Sequence, residues 1–282
     1  MSEKVLFLSI ITPVFNNIEY IEKCIQNVIS QDCNEIEHLI IDGESTDGTV
    51  QIIEKYALKY PHIRWLSEKD NGQSDAMNKG IKLSKGIFIS FLNVDDFYSD
   101  KALNEVKQIL KNDKNLSFIV GDCDVLKANG ELFYTNHPKK LNTWNILSGY
   151  YFPVNPSAYF YRRDLHTKIG MYNAENHYNM DIEFLIEASL YTKMTYFPKK
   201  WGNFRLLENT KTVNDQGAGL SEQRKIDLFN RYLKQVSLKI KLLTFISRVF
   251  EKNKRIFFKV KKVVLVPYDI VYWKIKKSIK LS

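Results

Sequence analysis

Cysteine is scarce in this 282-residue chain. The three present, Cys24, Cys33 and Cys123, form no CxxC pair. That excludes a disulfide-stapled scaffold and a zinc module, and fits a reducing compartment. His137, His166 and His177 show no HxxxH spacing, so structural or surface roles are expected for them rather than metal ligation. Long apolar runs are also missing. No stretch of 18 apolar residues occurs, so no helix is expected to span a bilayer. The opening MSEKVLFLSIITPVF is too short in its apolar run, and lacks the small-residue cleavage site, for a secretory signal. The expected location is the cytoplasm. Neither GxxxxGK[ST] nor GxGxxG stands at a strand end, which disfavours a P-loop kinase or an ordinary Rossmann dehydrogenase.

What is present is ordinary in amount and uneven in placement. Hydrophobic residues make up 44% and charged residues 26%, values of a globular chain. The length fits one large domain or two small ones, enough to bury roughly three quarters of the unfolded surface without staples. The net charge is +9, but it divides sharply. Residues 234–282 hold 14 Lys/Arg against two acids, a net of +12, which leaves −3 for residues 1–233. In that basic segment Leu238, Leu242, Phe245, Ile246 and Val249 recur at helical spacing with Lys and Arg between them. This is the composition of an amphipathic helix lying on an anionic membrane. A C-terminal helix docked on the body with a solvated basic face has the same pattern. No recognition motif accompanies the charge, so nucleic acid is not an expected partner.

The body alternates strands and helices. Buried strands are expected at 5–12, ended by Pro13, and at 37–42, 63–67, 86–92 and 118–123. Helices are expected at 18–30, 50–59, 75–84 and 101–111. Strands separated by helices imply βαβ units and a mostly parallel sheet with helices on both faces. Ligands of such sheets bind at the carboxyl ends of strands. Those ends carry TPVFNN after strand one, DGESTDGT from Asp42 after strand two, and NVDDFY from Asn93 after strand four. In the last, an apolar strand runs straight into the adjacent carboxylates Asp95 and Asp96, whose repulsion a divalent cation relieves. A helix cap for the next helix is the plainer role for either acid.

Taken in order, these segments resemble glycosyltransferase family 2, whose members have the GT-A fold. The matching pieces are SIITPVFNN at 9–17, LIIDGESTDGT at 39–49, SEKDNGQSDAMNKGI at 67–81 and FISFLNVDDFY at 88–98. NPSAYFYRRDL at 155–165, NMDIEFLIEAS at 179–189 and NFRLLENTKT at 203–212 complete the set. The resemblance implies a Rossmann-like GT-A catalytic domain over 1–215, with a nucleotide-sugar half at 1–124 and an acceptor half at 125–215. Residues 216–233 would be a linker or lid, and 234–282 a basic amphipathic region associating with the membrane.

The resemblance also implies roles. Asp42 would accept from a ring N–H of the nucleotide base, with Thr12, Pro13 and Phe15 as walls. Asp70, Asp75 and Asn78 would line the nucleotide and donor sugar, although Asp75 could equally cap its helix or pair with Lys79. Asn93 takes the first place of the family's D-x-D-D metal motif. Asp95 would approach the ribose or sugar, and Asp96 would ligate Mn²⁺ or Mg²⁺. Asp181 would be the general base, with Met180 where Glu is usual and Glu183 a weaker candidate. Arg162 and Arg163 either hold phosphate or pair with Asp164. The stretch 214–221 is either a lid or a linker. The implied activity is inverting, metal-dependent sugar transfer from a nucleotide-sugar, a UDP-sugar foremost, to a saccharide or lipid-linked saccharide in envelope polysaccharide assembly. The enzyme would work at the inner face of the membrane. Three rivals stand beside it: a nucleotidyltransferase, which would show a Gly-rich segment where TPVFNN stands; a non-catalytic sugar- or nucleotide-binding protein, which would lack these acids; and a membrane- or nucleic-acid-binding adaptor working mainly through its tail.

Overall fold

The computed structural model describes residues 6–175, 178–207 and 220–263. The chain opens with β1 (Leu8–Val14), α1 (Ile18–Ser30), β2 (Ile36–Asp42), α2 (Thr49–Lys59), β3 (Ile63–Ser67), α3 (Gln73–Leu83) and β4 (Phe88–Phe91). It continues through β5 (Phe97–Tyr98), α4 (Ala102–Asn112), β6 (Phe118–Lys127), β7 (Leu132–Asn136), α5 (Thr143–Leu147), β8 (Tyr159–Arg162), α6 (His166–Ile169), α7 (Met180–Tyr191) and β9 (Met194–Leu206). Two helices follow, α8 (Leu220–Gln235) and α9 (Leu238–Val263). Among the described residues the nine strands form one sheet, in the order β3-β2-β1-β4-β8-β6-β9-β5, with β7 paired to β6.

The first four strands are parallel throughout. Every residue of β1 and β2 is buried, because helices cover both faces, and this is why these strands read as continuous apolar runs. Alternate residues feed opposite sides. Ile11 and Ile41 pack under α3 and α7 with Phe91, Phe118 and Phe184. Ile10 and Ile40 join Val28, Val106, Phe160 and Trp201 on the other face. The second half contributes antiparallel pairings of β8 with β4 and β6, and of β9 with β5, together with a long parallel ladder between β6 and β9. The whole is the α/β GT-A architecture expected. The order β2-β1-β4 brings three strand ends and their polar turns to one edge.

Two expectations change. Pro13 does not end β1; the strand runs to Val14, with Pro13 opposite Ile41. Val14 faces β2, since its carbonyl accepts from the Gly43 N–H. Pro13 therefore faces the β4 side, where the pairing has already stopped at Ile11 and Phe91, so no N–H is needed there. Residues 220–233 are not a linker but most of α8. Leu228, Phe229 and Tyr232 bury themselves against α7, and Arg231 pairs with Glu183. The pattern is easily missed because charged residues are as many as apolar ones along that helix. The proposed lid at 214–221 lies outside the described residues up to 219.

The C-terminal segment docks by one face. Thr244 is fully buried, Ser247 Oγ donates to Asn145 Oδ1 at 2.9 Å, and Arg248 reaches the Leu147 carbonyl at 2.9 Å. Among the described residues no helix is long and apolar enough to cross a membrane. The basic residues beyond 263 lie outside the described residues.

Packing of α3 on β1 depends on Gly80. A Cβ there would stand 2.3 Å from Cγ2 of Ile11, a branched methyl in mid-strand. Gly80→Ala gains about 1 kcal/mol in helix propensity but must displace the sheet or the helix. A net loss of about 1–3 kcal/mol is expected from overpacking, read as a lower urea midpoint. An unchanged or raised midpoint would show that the helix and strand do not meet there.

Candidate active site

Asp42 ends β2 fully buried. Its Oδ2 accepts from the Ser45 N–H at 3.0 Å and the Ser67 hydroxyl at 2.7 Å, while its buried Oδ1 has no partner. A buried acceptor without a donor costs free energy, which makes this atom a candidate to meet a donor from outside the chain. Beside it, Gly43 leaves no room for a side chain. A Cβ would lie 2.7 Å from Asp70 Oδ2 and 3.3 Å from the Phe15 ring. Phe15, at the end of β1, is 62% exposed, an unusual state for a large aromatic within a strand-end cluster. Asp42, Phe15, Gly43 and Asp70 thus share one corner. Asp70 holds its loop by accepting from the Gly72 N–H at 2.8 Å.

Thr12 and Pro13 are buried within β1. The Thr12 hydroxyl bonds His38 Nε2 at 2.9 Å inside the sheet rather than facing the corner. Burial holds His38 neutral, with its pKa pushed down to about 3. Of the three residues expected to wall the base, Phe15 is the one with its side chain presented outward.

The second station follows β4. Asp96 is 3% exposed, and three segments distant in sequence serve it. Its Oδ2 accepts from Asn155 at 2.7 Å and Asn93 at 3.0 Å, and its Oδ1 from the Arg205 backbone N–H at 3.1 Å. Burial and then repulsion from Asp95 push its carboxyl above the usual range, against the pull of these donors. Burial also raises Asp95, and Arg205 opposes the shift. Neither acid caps the following helix. That cap position is Lys101, in a left-handed turn. The Arg205 guanidinium lies over the Phe97 ring at 4.7 Å and the Tyr20 ring at 5.8 Å. Asn93 is a spacer: its carbonyl accepts from Gln73 at 3.0 Å while its amide donates to Asp96.

The same Gln73 opens α3, which ties this station to α7. Ser74 Oγ contacts Met180 Sδ at 2.8 Å. One residue on, Asp181 sits in the first turn of α7, close enough to Tyr159 and Tyr172 for its charge to act on both. The residue keeps partial exposure, yet its Oδ1 is buried without a partner and burial alone lifts its pKa to about 6. The expected pairing of Asp75 and Asn78 on one ligand face is not what α3 presents. Asp75 accepts from the Asn71 N–H at 3.0 Å and lies 3.9 Å from Lys79, which is its plainer role. Asn78 is buried and clamps the Tyr172 backbone with both ends of its amide, at 2.8 and 2.9 Å. The Tyr172 backbone thus engages both ends of the Asn78 amide and leaves one of its two N–H donors.

Arg162 and Arg163 stand at the wrong end for a phosphate role. Arg162 is opposite Phe88, the start of β4, whereas the acids follow its finish. Arg162 pairs with Asp164 at 2.7 Å and Arg163 bonds the Ser84 carbonyl. Two residues of the site, Gln73 and Asn155, were not singled out from the sequence, and Arg205 was read only as part of a matched segment near the site. Gln73, Asn155 and the Arg205 backbone act through partners that only the fold supplies. Asn155 and Arg205 do fall inside the matched segments NPSAYFYRRDL and NFRLLENTKT, which was the available signal. Among the described residues no group of three or more His, Cys, Asp or Glu side chains forms a metal cage. The acid pair is of the kind that holds a hard cation together with ligand oxygens.

Polar turns gathered at one edge of a half-parallel sheet, with a buried acid pair after its central strand, define the GT-A class of fold. Residues 9–170 match the model of glycosyl transferase family 2, and the chain belongs to that family. A PGL/p-HBAD biosynthesis glycosyltransferase of Mycobacterium bovis is 30% identical over 188 residues, which are 64% of this chain and 68% of the relative. Other curated relatives are longer, and the chain spans 17–41% of their length. Among solved structures, S. aureus TarS 1–349 in complex with UDP-GlcNAc superposes with a TM-score of 0.62 at 19% identity, covering 86% of this chain and 79% of that one. The mannosyltransferase PcManGT of Pyrobaculum calidifontis, in complex with GDP-Man and Mn²⁺, gives 0.54 at 14% identity, with coverage of 86% and 79%.

The raised carboxyl of Asp181 makes a stability prediction. The folded protein holds this proton more tightly than the unfolded chain, so the associated stability is present below pH 4 and is lost as pH rises through 6. Asp181→Asn, neutral throughout, should be more stable than the parent at pH 8, by on the order of 2 kcal/mol. The gain should shrink as pH falls below 6. A pH-independent difference in thermal unfolding would place the carboxylate in water.

Proposed function

We propose that this chain is an inverting, metal-dependent glycosyltransferase that takes a sugar from a nucleotide-sugar, a UDP-sugar foremost. The acceptor is a saccharide or lipid-linked saccharide of envelope polysaccharide assembly. The observation that carries the reading is that Asp42 and the Asp95–Asp96 pair end strands on either side of β1, at one edge of the sheet. One is an unpartnered hydrogen-bond acceptor and the other a crowded pair of carboxylates. A uracil-type base offers the ring N–H that Asp42 Oδ1 lacks, and the Phe15 ring offers it a stacking face. The solved TarS complexes with UDP and UDP-GlcNAc support this choice of donor.

Asp95 and Asp96 fit a divalent cation, since burial and mutual repulsion disfavour two bare negative charges there. Asp95, the more exposed, is the better placed to meet it directly. Asp96, already holding three donors, fixes the turn from behind. A bound Mn²⁺ or Mg²⁺ would neutralise charge on the leaving diphosphate. The Arg205 guanidinium, fixed by two rings, supplies a further cation beside Asp95.

Asp181 acts as base. With a pKa of about 6 it is ionised at neutral pH yet basic enough to take a hydroxyl proton, and its unpartnered Oδ1 gives that proton a place to go. The acceptor oxygen then attacks the anomeric carbon as the nucleotide diphosphate leaves from the opposite face, inverting the centre in one displacement. Asn78 and the Tyr172 backbone hold the aromatic wall against which this acid is packed. The two halves of the expected catalytic domain, 1–124 and 125–215, divide donor from acceptor binding. The basic C-terminal region keeps the enzyme on the cytoplasmic side of an anionic membrane, near a lipid-linked acceptor.

Release of nucleoside diphosphate from UDP-, GDP- and dTDP-sugars tests the reading. Turnover should be fastest with a UDP-sugar, abolished by EDTA and restored by Mn²⁺ or Mg²⁺. Asp95→Ala and Asp96→Ala should both lose it. Asp42→Ala should raise donor KM with the smaller effect on kcat. Activity that survives chelation and both acid variants would remove the metal. For Asp181→Asn, kcat should fall roughly 10²–10⁴-fold with nucleotide affinity retained, and the parent's rate should rise with pH through about 6. Near-normal transfer by the Asn variant would exclude Asp181 as base.

A further inference from the structure

The docked helix α9 has two faces, and only one is used by the body. Thr244, Ser247, Arg248 and Glu251 face α5 and its surroundings. About half a turn away on a helix of 3.6 residues per turn, Leu238, Leu242, Phe245 and Val249 point outward, flanked by Ile246 and Phe250. Their exposures run from 42% to 82%. A run of six large apolar side chains left in water on one helix is not a neutral surface. Single exposed leucines are common; a stripe with two phenylalanines along a helix is, among the described residues, an interface without a partner.

The charge around this stripe says what partner it takes. Residues 238–253 hold four Lys/Arg and one acid. A groove of about 580 Å³ runs between α9 and the body, where Leu243, Ile246 and Phe250 meet Trp144, Lys139 and Lys193. Lys140 completes that rim, with its ammonium 5.8 Å from the Phe250 ring. Apolar side chains at the level of a basic rim match the acyl boundary and the anionic headgroups of a bilayer. A second protein surface would need to bring many acids to satisfy the same rim.

We infer that the membrane-binding surface is composite. The outward stripe of α9 inserts into the interface of an anionic bilayer, and Lys139, Lys140 and Lys193 of the body contact headgroups beside it. This rests on the membrane reading above and deepens it. The helix is not a flexible tether but a docked element, so the catalytic body is held against the membrane in one orientation. The basic residues beyond 263 add attraction without setting that orientation.

The test uses the full chain with vesicles of phosphatidylcholine alone or with phosphatidylglycerol added. The parent should co-sediment only with the anionic vesicles, and less at high salt. Leu242→Ser/Phe245→Ser/Val249→Ser, all at exposed positions, should weaken binding at least tenfold. Lys139→Glu/Lys193→Glu should weaken it several-fold. Lys274→Gln/Lys276→Gln/Lys277→Gln should weaken it less than either. Nucleotide-sugar hydrolysis in solution should be unchanged in the first two variants, which separates this surface from the active site. If the parent ignores anionic vesicles, the membrane reading itself fails. If the parent binds but the stripe variant binds equally, the reading survives and the composite surface is overturned. Equilibrium sedimentation gives the remaining outcome: a parent dimer that the stripe variant converts to monomer would assign the stripe to a second copy of this chain and overturn the proposal.

Discussion

The carboxylate of Asp96 gathers the site. A buried acid must be hydrogen-bonded, and its partners come from the turn after β4, from the segment before β8 and from β9. Satisfying one side chain therefore fixes three stretches of chain far apart in sequence. Asp95 then has no freedom to turn inward and is left at the surface of the same turn. Arg205 is brought alongside as its backbone N–H completes the set. The arrangement stores electrostatic cost in two adjacent acids, which a cation and its anionic ligand can relieve. Such cost is ordinary at sites that bind charge, where stability is given up for a function that the folded core must underwrite.

Around this point the sheet divides the work. The parallel half supplies the corner at Asp42, Gly43, Asp70 and Phe15, the proposed seat of the nucleotide base. The second half crosses over and returns, so β9 delivers Arg205 to a turn that belongs to the first half. Helix α3 links the two stations to α7 through Gln73 and Ser74. Helix α8 then braces α7 from outside through Arg231, Tyr232 and Glu183. Asp181, the proposed base, therefore sits on a helix pinned on both sides, the placement that a group meeting a hydroxyl within a fraction of an ångström would need.

Much of the fold was legible because the first half is locally consistent. Apolar runs of strand length, helical spacing between them and polar turns after them all point to one α/β sheet, and boundaries fell within a few residues. The exceptions have physical causes. Pro13 lies within β1 because the neighbouring ladder has already ended, a fact about β4 and not about proline. Asn78 and Asp75 share a helix turn but not a role, because Tyr172 from another segment occupies the Asn78 amide. Arg162 and Arg163 look like phosphate ligands in one dimension, and β8's antiparallel pairing carries them to the far edge. Helix α8 was hidden by its charge.

Sequence alone determined the alternation of strand and helix, the polar ends that could hold a ligand, and the separation of an acidic body from a basic tail. These are properties of local pattern, and local pattern survives in one dimension. Tertiary structure decided which of those residues meet. It left Oδ1 of Asp42 and of Asp181 buried without partners, took Asn78 and the arginine pair away from the site, and brought in Gln73, Asn155 and Arg205. It also docked one face of the amphipathic helix and, among the described residues, left the opposite face exposed. The physical reason is the same in each case. A polar atom's role depends on whether burial leaves it a partner, and partners are chosen by pairing across the sheet rather than by neighbours in the chain.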